Sequence, residues 1–210
     1  MPKLIVIAQN ATEHNRMYKS HMKQTSTYAL SSADNLADTA LMVVLSIRQH
    51  WHRIGGQLND VRAKGANSVY LFSHKKACYL YLQENKERLY RETIKNLDDR
   101  EALLNLWLDV PFLGLVKAGF VVQLATGHIG CIDSHNLTLY NIPLNTVTFN
   151  KKVKPATRAK RIKAYIEACD TVGGSLSLWT NWCELMANKY TKHFTNAEHV
   201  SILHVDYLKG

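Results

Sequence analysis

The sequence VPFLGLVKAGFVVQLATGHIGCIDSHN, residues 110–136, predicts two helices joined by a tight turn, followed by a segment that opens at an aspartate. Pro111 and Gly114 lie in the turn between the helices. Glycine tolerates a left-handed or closely approached backbone, so we expect Gly114 to supply that freedom. After the apolar second helix, Asp133 or Ser134 is suited to cap a further short helix.

The start of the second helix is a candidate anion site. The first amides of a helix lack intrahelical acceptors and lie at the positive end of the helix dipole. A DNA phosphate would fit there, and Lys117 would add a positive charge. The alternative is a plain helix–turn–helix corner of an all-α core, which Pro111 and Gly114 fit equally well.

The composition is that of a folded, basic protein. The 210 residues contain 26 Lys and Arg against 17 Asp and Glu, which gives a formal net charge of +9. Hydrophobic residues make up 46% of the chain, enough for one domain or for two small lobes that share a core. The positive charge favours a polyanionic partner, above all DNA bound through its phosphates. A basic protein without such a partner is the alternative.

Cysteine spacing and hydropathy exclude several classes of protein. The four cysteines are far apart and form no metal-binding pattern, so we expect free thiols in a reducing cytoplasm, no metal and no cofactor. No apolar run approaches the roughly 18–20 residues that span a bilayer, and the N-terminus does not fit a signal peptide. We therefore expect a soluble, cytoplasmic protein with no membrane partner.

Hydrophobic periodicity predicts helices along most of the chain, and therefore an all-α fold. Ser31 and Ser32 precede an apolar-faced segment that we expect to end at Gly55 and Gly56. Residues 66–97 predict one or two helices, and residues 98–101 have the spacing of a capping box. A stripe of aromatic and apolar residues near the C-terminus, which includes Trp179, Trp182, Cys183 and Met186, is typical of a helix face packed in the core.

Residues 141–165 form the most loop-like segment, and its second half is strongly basic. A solvated helix start and a patch that follows DNA phosphates both fit this charge, and the position directly after residues 110–136 favours the patch. The DNA-contacting candidates here are Lys151, Lys152, Lys154, Arg158, Lys160 and Arg161.

Residues 110–136 resemble the helix-hairpin-helix DNA glycosylase superfamily. The resemblance lies in Val-Pro-x-Leu-Gly at 110–114, Ala118, the apolar helix, and Ile-Asp-Ser-His at 132–135. It implies an all-α fold, with two helical lobes around a helix-hairpin-helix motif at about residues 103–126 and the active site in the cleft between the lobes. The implied hairpin holds DNA phosphates, and the implied aspartate assists cleavage of the N-glycosidic bond of a flipped-out base.

The resemblance assigns candidate roles to individual residues. Asp133 is the candidate catalytic carboxylate, with Ser134 and His135 beside it, and Lys117 is the second candidate catalytic residue. The implied DNA contacts are Pro111, Gly114, Lys117 and Gly119, with Gln49 of the segment VLSIRQ as a wedge into the duplex.

Two departures from the family pattern alter what the resemblance implies. Phe112 replaces a hairpin glycine, which should stiffen or reshape the loop. The position of the lysine used by bifunctional members falls on Val116, with Lys117 about 100° further around the helix. A glycosylase without lyase activity therefore fits better than a bifunctional one. The family's C-terminal iron–sulfur cysteines are absent.

The predicted organisation has three parts. Residues 1–30 form an N-terminal arm or a first helix, residues 31–140 a lobe that contains the motif, and residues 141–210 the basic loop and the helices of the second lobe. Size and general character resemble a bacteriophage product, which would place the chain in the host cytoplasm or in a virion.

Two functions stay open from the sequence. One is a DNA-binding N-glycosylase that acts on damaged or modified bases. The other is a non-catalytic DNA-binding or structural protein, part of a larger assembly or a homo-oligomer. For the base pocket of an enzyme, Tyr70, Tyr79, Tyr81, Tyr90 and Trp107 are candidate linings, with core packing as the alternative for each.

Overall fold

The computed structural model describes residues 11–189 and, beyond them, residues 192, 206 and 208. Secondary structure in this described part is helical throughout, in agreement with the predicted all-α class. The helices are α1 (Ala11–Ala29), α2 (Ala33–Leu45), α3 (Ile54–Lys64), α4 (His74–Lys95), α5 (Arg100–Trp107), α6 (Leu115–Thr126), α7 (Ser134–Tyr140), α8 (Leu144–Val147), α9 (Pro155–Thr171) and α10 (Gly174–Lys189).

Helix α6 lies at the centre of the fold. It contacts α1, α2 and α5, and apolar residues such as Leu115, Val121 and Leu124 are fully buried. A helix that is apolar on nearly all sides needs neighbours around it, and here α1 supplies one of them. The hydroxyl of Tyr18 on α1 donates to the carbonyl of Gly127 at 3.1 Å, which ties α1 to the end of α6.

The start of α2 is confirmed and its end is corrected. Ser32 caps α2 by accepting a hydrogen bond from the amide of Asn35 at 3.1 Å. However, α2 ends at Leu45, and Gly55 and Gly56 lie inside α3 rather than after a single long helix. Each glycine costs a helix about 1 kcal/mol relative to alanine. Burial of a stripe of apolar residues on α3 outweighs that cost, and the stripe consists of Ile54, Leu58 and Val61.

The predicted helix–turn–helix is present at residues 100–126. Asp99 caps α5 by accepting from the amide of Ala102 at 2.9 Å, and residues 108–114 form the turn to α6. Gly127, with φ of 74°, ends α6 in the left-handed conformation that favours glycine. The chain then crosses residues 128–133 before α7 begins.

The basic segment is partly irregular and partly helical. Only the single turn α8 interrupts residues 141–154, whereas the charged second half forms the start of α9 from Pro155 onward. Most of the chain after residue 189, and residues 1–10, lie outside the described residues. Among the helices that the structure describes, none is both long and apolar enough to cross a membrane.

Candidate functional site

A cavity of about 480 Å³ lies between the turn after α2, helix α6, the segment before α7, and helix α10. Asp133, Lys117 and Gln49 all line it, although 16 to 84 residues separate them in the sequence. Ser134 and His135 line it as well. The fold thus brings together five of the residues that the sequence suggested for a site.

Four aromatic rings form one wall of the cavity. Trp51 meets Trp182 edge to face at 5.0 Å between ring centroids, and Trp179 lies 5.5 Å from Trp182. Phe120 lies 6.4 Å from Trp179, which completes the group. Trp179 is buried, as the predicted core stripe requires, yet it also faces the cavity, so the prediction of core packing alone was incomplete.

None of the aromatic residues that the sequence offered as pocket linings borders this cavity. They are Tyr70, Tyr79, Tyr81, Tyr90 and Trp107. Trp107 is fully buried in the core, and Tyr90 donates its hydroxyl hydrogen to the carbonyl of Leu30 at 2.9 Å. The rings that line the cavity come from α6, α10 and the turn before α3, which only the tertiary fold brings together.

Asp133 is the N-cap of α7. Its Oδ1 accepts hydrogen bonds from the amides of His135 at 3.1 Å and Asn136 at 2.9 Å. Within the described part of the chain, no group donates to Oδ2. The hydrogen bonds to Oδ1 therefore orient the carboxyl group, which is half-buried and lines the cavity.

Two buried polar side chains fix the segment that leads to Asp133. The Tyr165 hydroxyl donates to the carbonyl of Gly130 and accepts from the amide of Ile132, both at 3.0 Å. Gln123 on α6 accepts from the amide of Cys131 at 3.1 Å. Because buried polar groups cost free energy unless they are paired, these bonds define one position for the segment.

The same segment is also tied to α10. Asn136 is 2% exposed, and its side-chain amide donates to the carbonyls of Cys131 at 3.1 Å and Leu178 at 3.2 Å. Gln123 donates to the carbonyl of Ser175 at 3.1 Å. Helices α6, α9 and α10 therefore all contribute to the placement of Asp133.

Gly119 is buried and packs against α9. A Cβ at this position would lie 2.7 Å from Tyr165 Oη and 3.1 Å from the Gly130 carbonyl oxygen. Because Gly119 is buried, it cannot make the DNA contact that the resemblance implied. Gly119 instead leaves the space in which Tyr165 reaches the segment before Asp133.

Lys117 reaches the cavity although it is one residue beyond the family's lysine position. Its Nζ donates to Ser46 Oγ at 3.0 Å and lies 5.5 Å from the centroid of the Phe120 ring. Val116 also lines the cavity, so both positions of the helix border the same space. Lys117 therefore lies at the site even though it is about 100° further around the helix than Val116.

Gln49 lies in the turn that joins α2 to α3. Its side-chain oxygen accepts from Gln57 Nε2 at 3.1 Å, which fixes the side chain at the edge of the cavity. Arg48, next to it, is exposed and has a φ of 56°. This is an uncommon backbone conformation for a non-glycine residue, and it marks the turn as locally strained.

The conformation of the hairpin differs from the prediction. Gly114 has an extended backbone, with φ of −90°, and a Cβ there would meet no atom within 4 Å. The left-handed residue is Phe112, with φ of 62°, at the position of the family's first hairpin glycine. Pro111 is half-buried, and its carbonyl accepts from Cys78 Sγ at 2.7 Å. Gly114 caps α6 without a side chain, and among the described residues no side chain is seen to accept from the first amides of that helix.

The basic segment lies against α5 and the hairpin rather than at the cavity. Lys151 donates to the carbonyl of Val110, and Arg158 forms an ion pair with Asp109 at 2.8 Å. Arg158 also donates to Asn105 Oδ1, and Arg161 donates to the carbonyl of Asn145 at 3.0 Å. Lys152, Lys154 and Lys160 are exposed, and none of the segment's cations lines the cavity.

Comparison of the chain with protein-family models, with curated proteins and with solved structures found no match in any of the three.

Proposed function

We propose that the chain is a DNA-binding protein of the helix-hairpin-helix glycosylase type, which takes a flipped nucleobase into the cavity and hydrolyses its N-glycosidic bond. The observation that carries the proposal is the meeting of a carboxylate, an ammonium group and four aromatic rings in one cavity of about 480 Å³. That volume lies within the roughly 300–1,000 Å³ of small-molecule sites. Aromatic walls suit a base, because stacking and burial replace what the base loses on leaving the duplex.

The proposed chemistry assigns distinct tasks to two side chains. When the bond from C1′ to the base breaks, the base takes the electron pair and the sugar becomes positively charged. The Asp133 carboxylate stabilises that charge and accepts a proton from the attacking water, whose hydroxyl bonds to C1′. The base is then protonated from solvent. Lys117, held by Ser46, supplies a positive charge for the DNA phosphate or the departing base.

The surface around the hairpin suits a polyanion. The chain carries a net charge of +9, and exposed lysines of the basic segment lie next to the hairpin. The first amides of α6 remain available for a phosphate, since Gly114 offers them no side chain. These features support duplex binding through the backbone, with the cavity reserved for one extruded base.

Base release from duplex oligonucleotides with damaged, mismatched or modified bases tests the proposal. Asp133→Asn is the decisive variant, and Asp99→Asn is its matched control, because Asp99 also caps a helix but does not line the cavity. Asparagine is a good N-cap, so both variants should fold. Release by wild type and Asp99→Asn but not by Asp133→Asn is expected.

Salt-sensitive binding without release by the wild type would overturn the chemistry. It would favour the second function, a non-catalytic DNA-binding protein. The replacement of the hairpin glycine by Phe112 is the observation that supports this alternative.

A further inference from the structure

Two large aromatic side chains are exposed next to the hairpin. Phe72 and Phe112 are 57% and 53% exposed, and the Phe112 ring stacks on His74 with 4.0 Å between centroids and 19° between planes. His74 is itself exposed and lies two residues after Phe72. We call these three side chains the aromatic platform. Phe112 lies in the turn before α6, and the other two precede or open α4, so two separate segments build it.

The backbone at the platform is held in uncommon conformations. Phe112 and Ser73 have φ values of 62° and 51°, although neither is glycine. Non-glycine residues in this region are strained, and such strain concentrates at functional sites. The Phe112 ring lies outside the core, where it gains little from burial. A ring that is both strained and exposed indicates a role other than folding.

Two lysines lie near the platform, and one of them, Lys75, is buried. Lys75 Nζ is 5.4 Å from the centroid of the Phe72 ring and donates to the carbonyl of Leu45 at 2.8 Å. Burial, followed by the nearby charge of Lys117, lowers the pKa of Lys75. Lys151 donates to the carbonyl of Val110 on the other side of the turn. Because Lys151 is exposed, a polymer with negative charge and flat aromatic groups is complementary to this surface.

The platform and the cavity meet at the C-terminal end of α2. Lys75 binds the Leu45 carbonyl on the platform side, and Lys117 binds the hydroxyl of the next residue, Ser46, on the cavity side. A DNA strand with one base in the cavity would therefore have neighbouring nucleotides near the platform.

We propose that the aromatic platform binds unpaired, single-stranded DNA by stacking its bases on Phe112 and Phe72. Stacking on exposed rings requires bases whose faces are free, which a duplex does not offer, and it tolerates any sequence. The proposal rests on the proposed function for the identity of the polymer as DNA. It adds that the substrate is locally single-stranded, as in a bubble, a gap or a strand end.

Fluorescence anisotropy with a labelled oligo(dT) tests this proposal. We expect Phe112→Gly and Phe72→Ala to weaken oligo(dT) binding by roughly 5- to 100-fold each, the range found for loss of a stacked base. Phe112→Gly should fold, since glycine adopts a φ of 62° without strain. Phe112→Tyr should bind as the wild type does. Ile94→Ala is the matched control, because Ile94 is 40% exposed and lies about 30 Å along α4 from His74.

Three results would overturn the platform. The variants without a ring could bind oligo(dT) as tightly as the wild type. Alternatively, Phe112→Gly could abolish self-association and leave oligo(dT) binding unchanged, which would make this face a protein interface. A gain in duplex affinity by Phe112→Gly, with oligo(dT) binding unchanged, would likewise indicate a hairpin that grips phosphates only.

The proposed base release and the proposed single-strand binding can be tested independently of each other. Asp133→Asn should lose base release and keep oligo(dT) binding, because Asp133 is not part of the platform. If no base is released from any substrate, oligo(dT) binding still measures the platform. If oligo(dT) binding does not depend on Phe112 and Phe72, base release from a duplex still measures the cavity.

Discussion

The hydroxyl of Tyr165 occupies the space that a side chain at Gly119 would need, since a Cβ there would lie 2.7 Å from the oxygen. That hydroxyl bonds the carbonyl of Gly130 and the amide of Ile132, one residue before Asp133. A small residue in the middle of α6 thus controls the placement of a carboxylate on another segment.

Gly119→Ala should destabilise the protein by about 1–3 kcal/mol, the usual cost of overpacking a core. Alanine is favoured over glycine in a helix by up to about 1 kcal/mol, but the clash with a buried tyrosine outweighs that gain. Gly56→Ala is the control, because it lies within α3 and its Cβ would meet no atom within 4 Å. This variant should gain about 0.5–1 kcal/mol. Urea denaturation measures both, and equal gains in stability would contradict the close contact.

Substitutions at Asp133 should distinguish its contribution to the stability of α7 from its contribution to base release. Asp133→Ala removes both hydrogen bonds to the start of α7 and should cost about 1 kcal/mol of stability, whereas Asp133→Asn should be nearly neutral. We expect both to lose base release under single-turnover conditions, since neither carries a negative charge. Denaturation and release are measured on the same samples. Full activity in Asp133→Asn would show that Asp133 caps α7 but takes no part in catalysis.

The charge of Lys117 should matter more than its identity as an amine. Lys117→Met should lower kcat/KM for base release by roughly tenfold, the typical loss of one charge-assisted hydrogen bond, and Lys117→Arg should keep most of it. Val116 occupies the position that the resemblance gives to a Schiff-base lysine. We therefore expect borohydride to trap no covalent complex with the wild type. A trapped complex that Lys117→Arg abolishes would instead demonstrate lyase chemistry.

Alkaline pH should destabilise the fold in part through Cys78. Burial, partly offset by the nearby charge of Lys151, raises the pKa of the Cys78 thiol from 9.0 to about 11. Between these values the unfolded chain has lost the proton that the folded chain retains, so stability falls as pH rises. The loss is at most about 3 kcal/mol.

Cys78→Ser tests this dependence, because its hydroxyl does not ionise in that range and can still donate to Pro111. Denaturation at about pH 8 and about pH 10.5 should show a smaller loss for the variant than for the wild type. An identical loss in both proteins would mean that the thiol does not contribute. Other buried groups with raised pKa values, such as Tyr18, affect both proteins equally.

Local chemistry allowed several elements to be predicted from the sequence. Ser32 caps α2 and Asp133 caps α7 because a short polar side chain can satisfy free amides wherever a helix begins. The same logic failed at Gly55 and Gly56, since the buried face of α3 outweighs the low helix propensity of glycine. Propensity is a local quantity, and burial depends on neighbours that a single segment does not reveal.

The cavity also could not be predicted from the sequence. Periodicity predicted that Trp179 and Trp182 lie on the inner face of a helix, but it does not distinguish a face that meets another helix from one that meets an empty space. Phe112 was expected to reshape the hairpin, whereas it adopts the left-handed conformation that glycine would have taken. The buried position of Lys75 had no sequence signal at all, because its acceptor is a backbone carbonyl on α2.

The bond from Asn136 to the carbonyl of Leu178 spans 42 residues and closes the segment before Asp133 onto α10. During synthesis the hairpin and the aspartate leave the ribosome well before α10 does. A nascent chain at that stage carries the aspartate and the amides that it caps, but not the α10 carbonyl that anchors Asn136. Helix α10 therefore completes the anchoring of the segment around Asp133, and a protein truncated before α10 would lose the bond that joins Asn136 to Leu178.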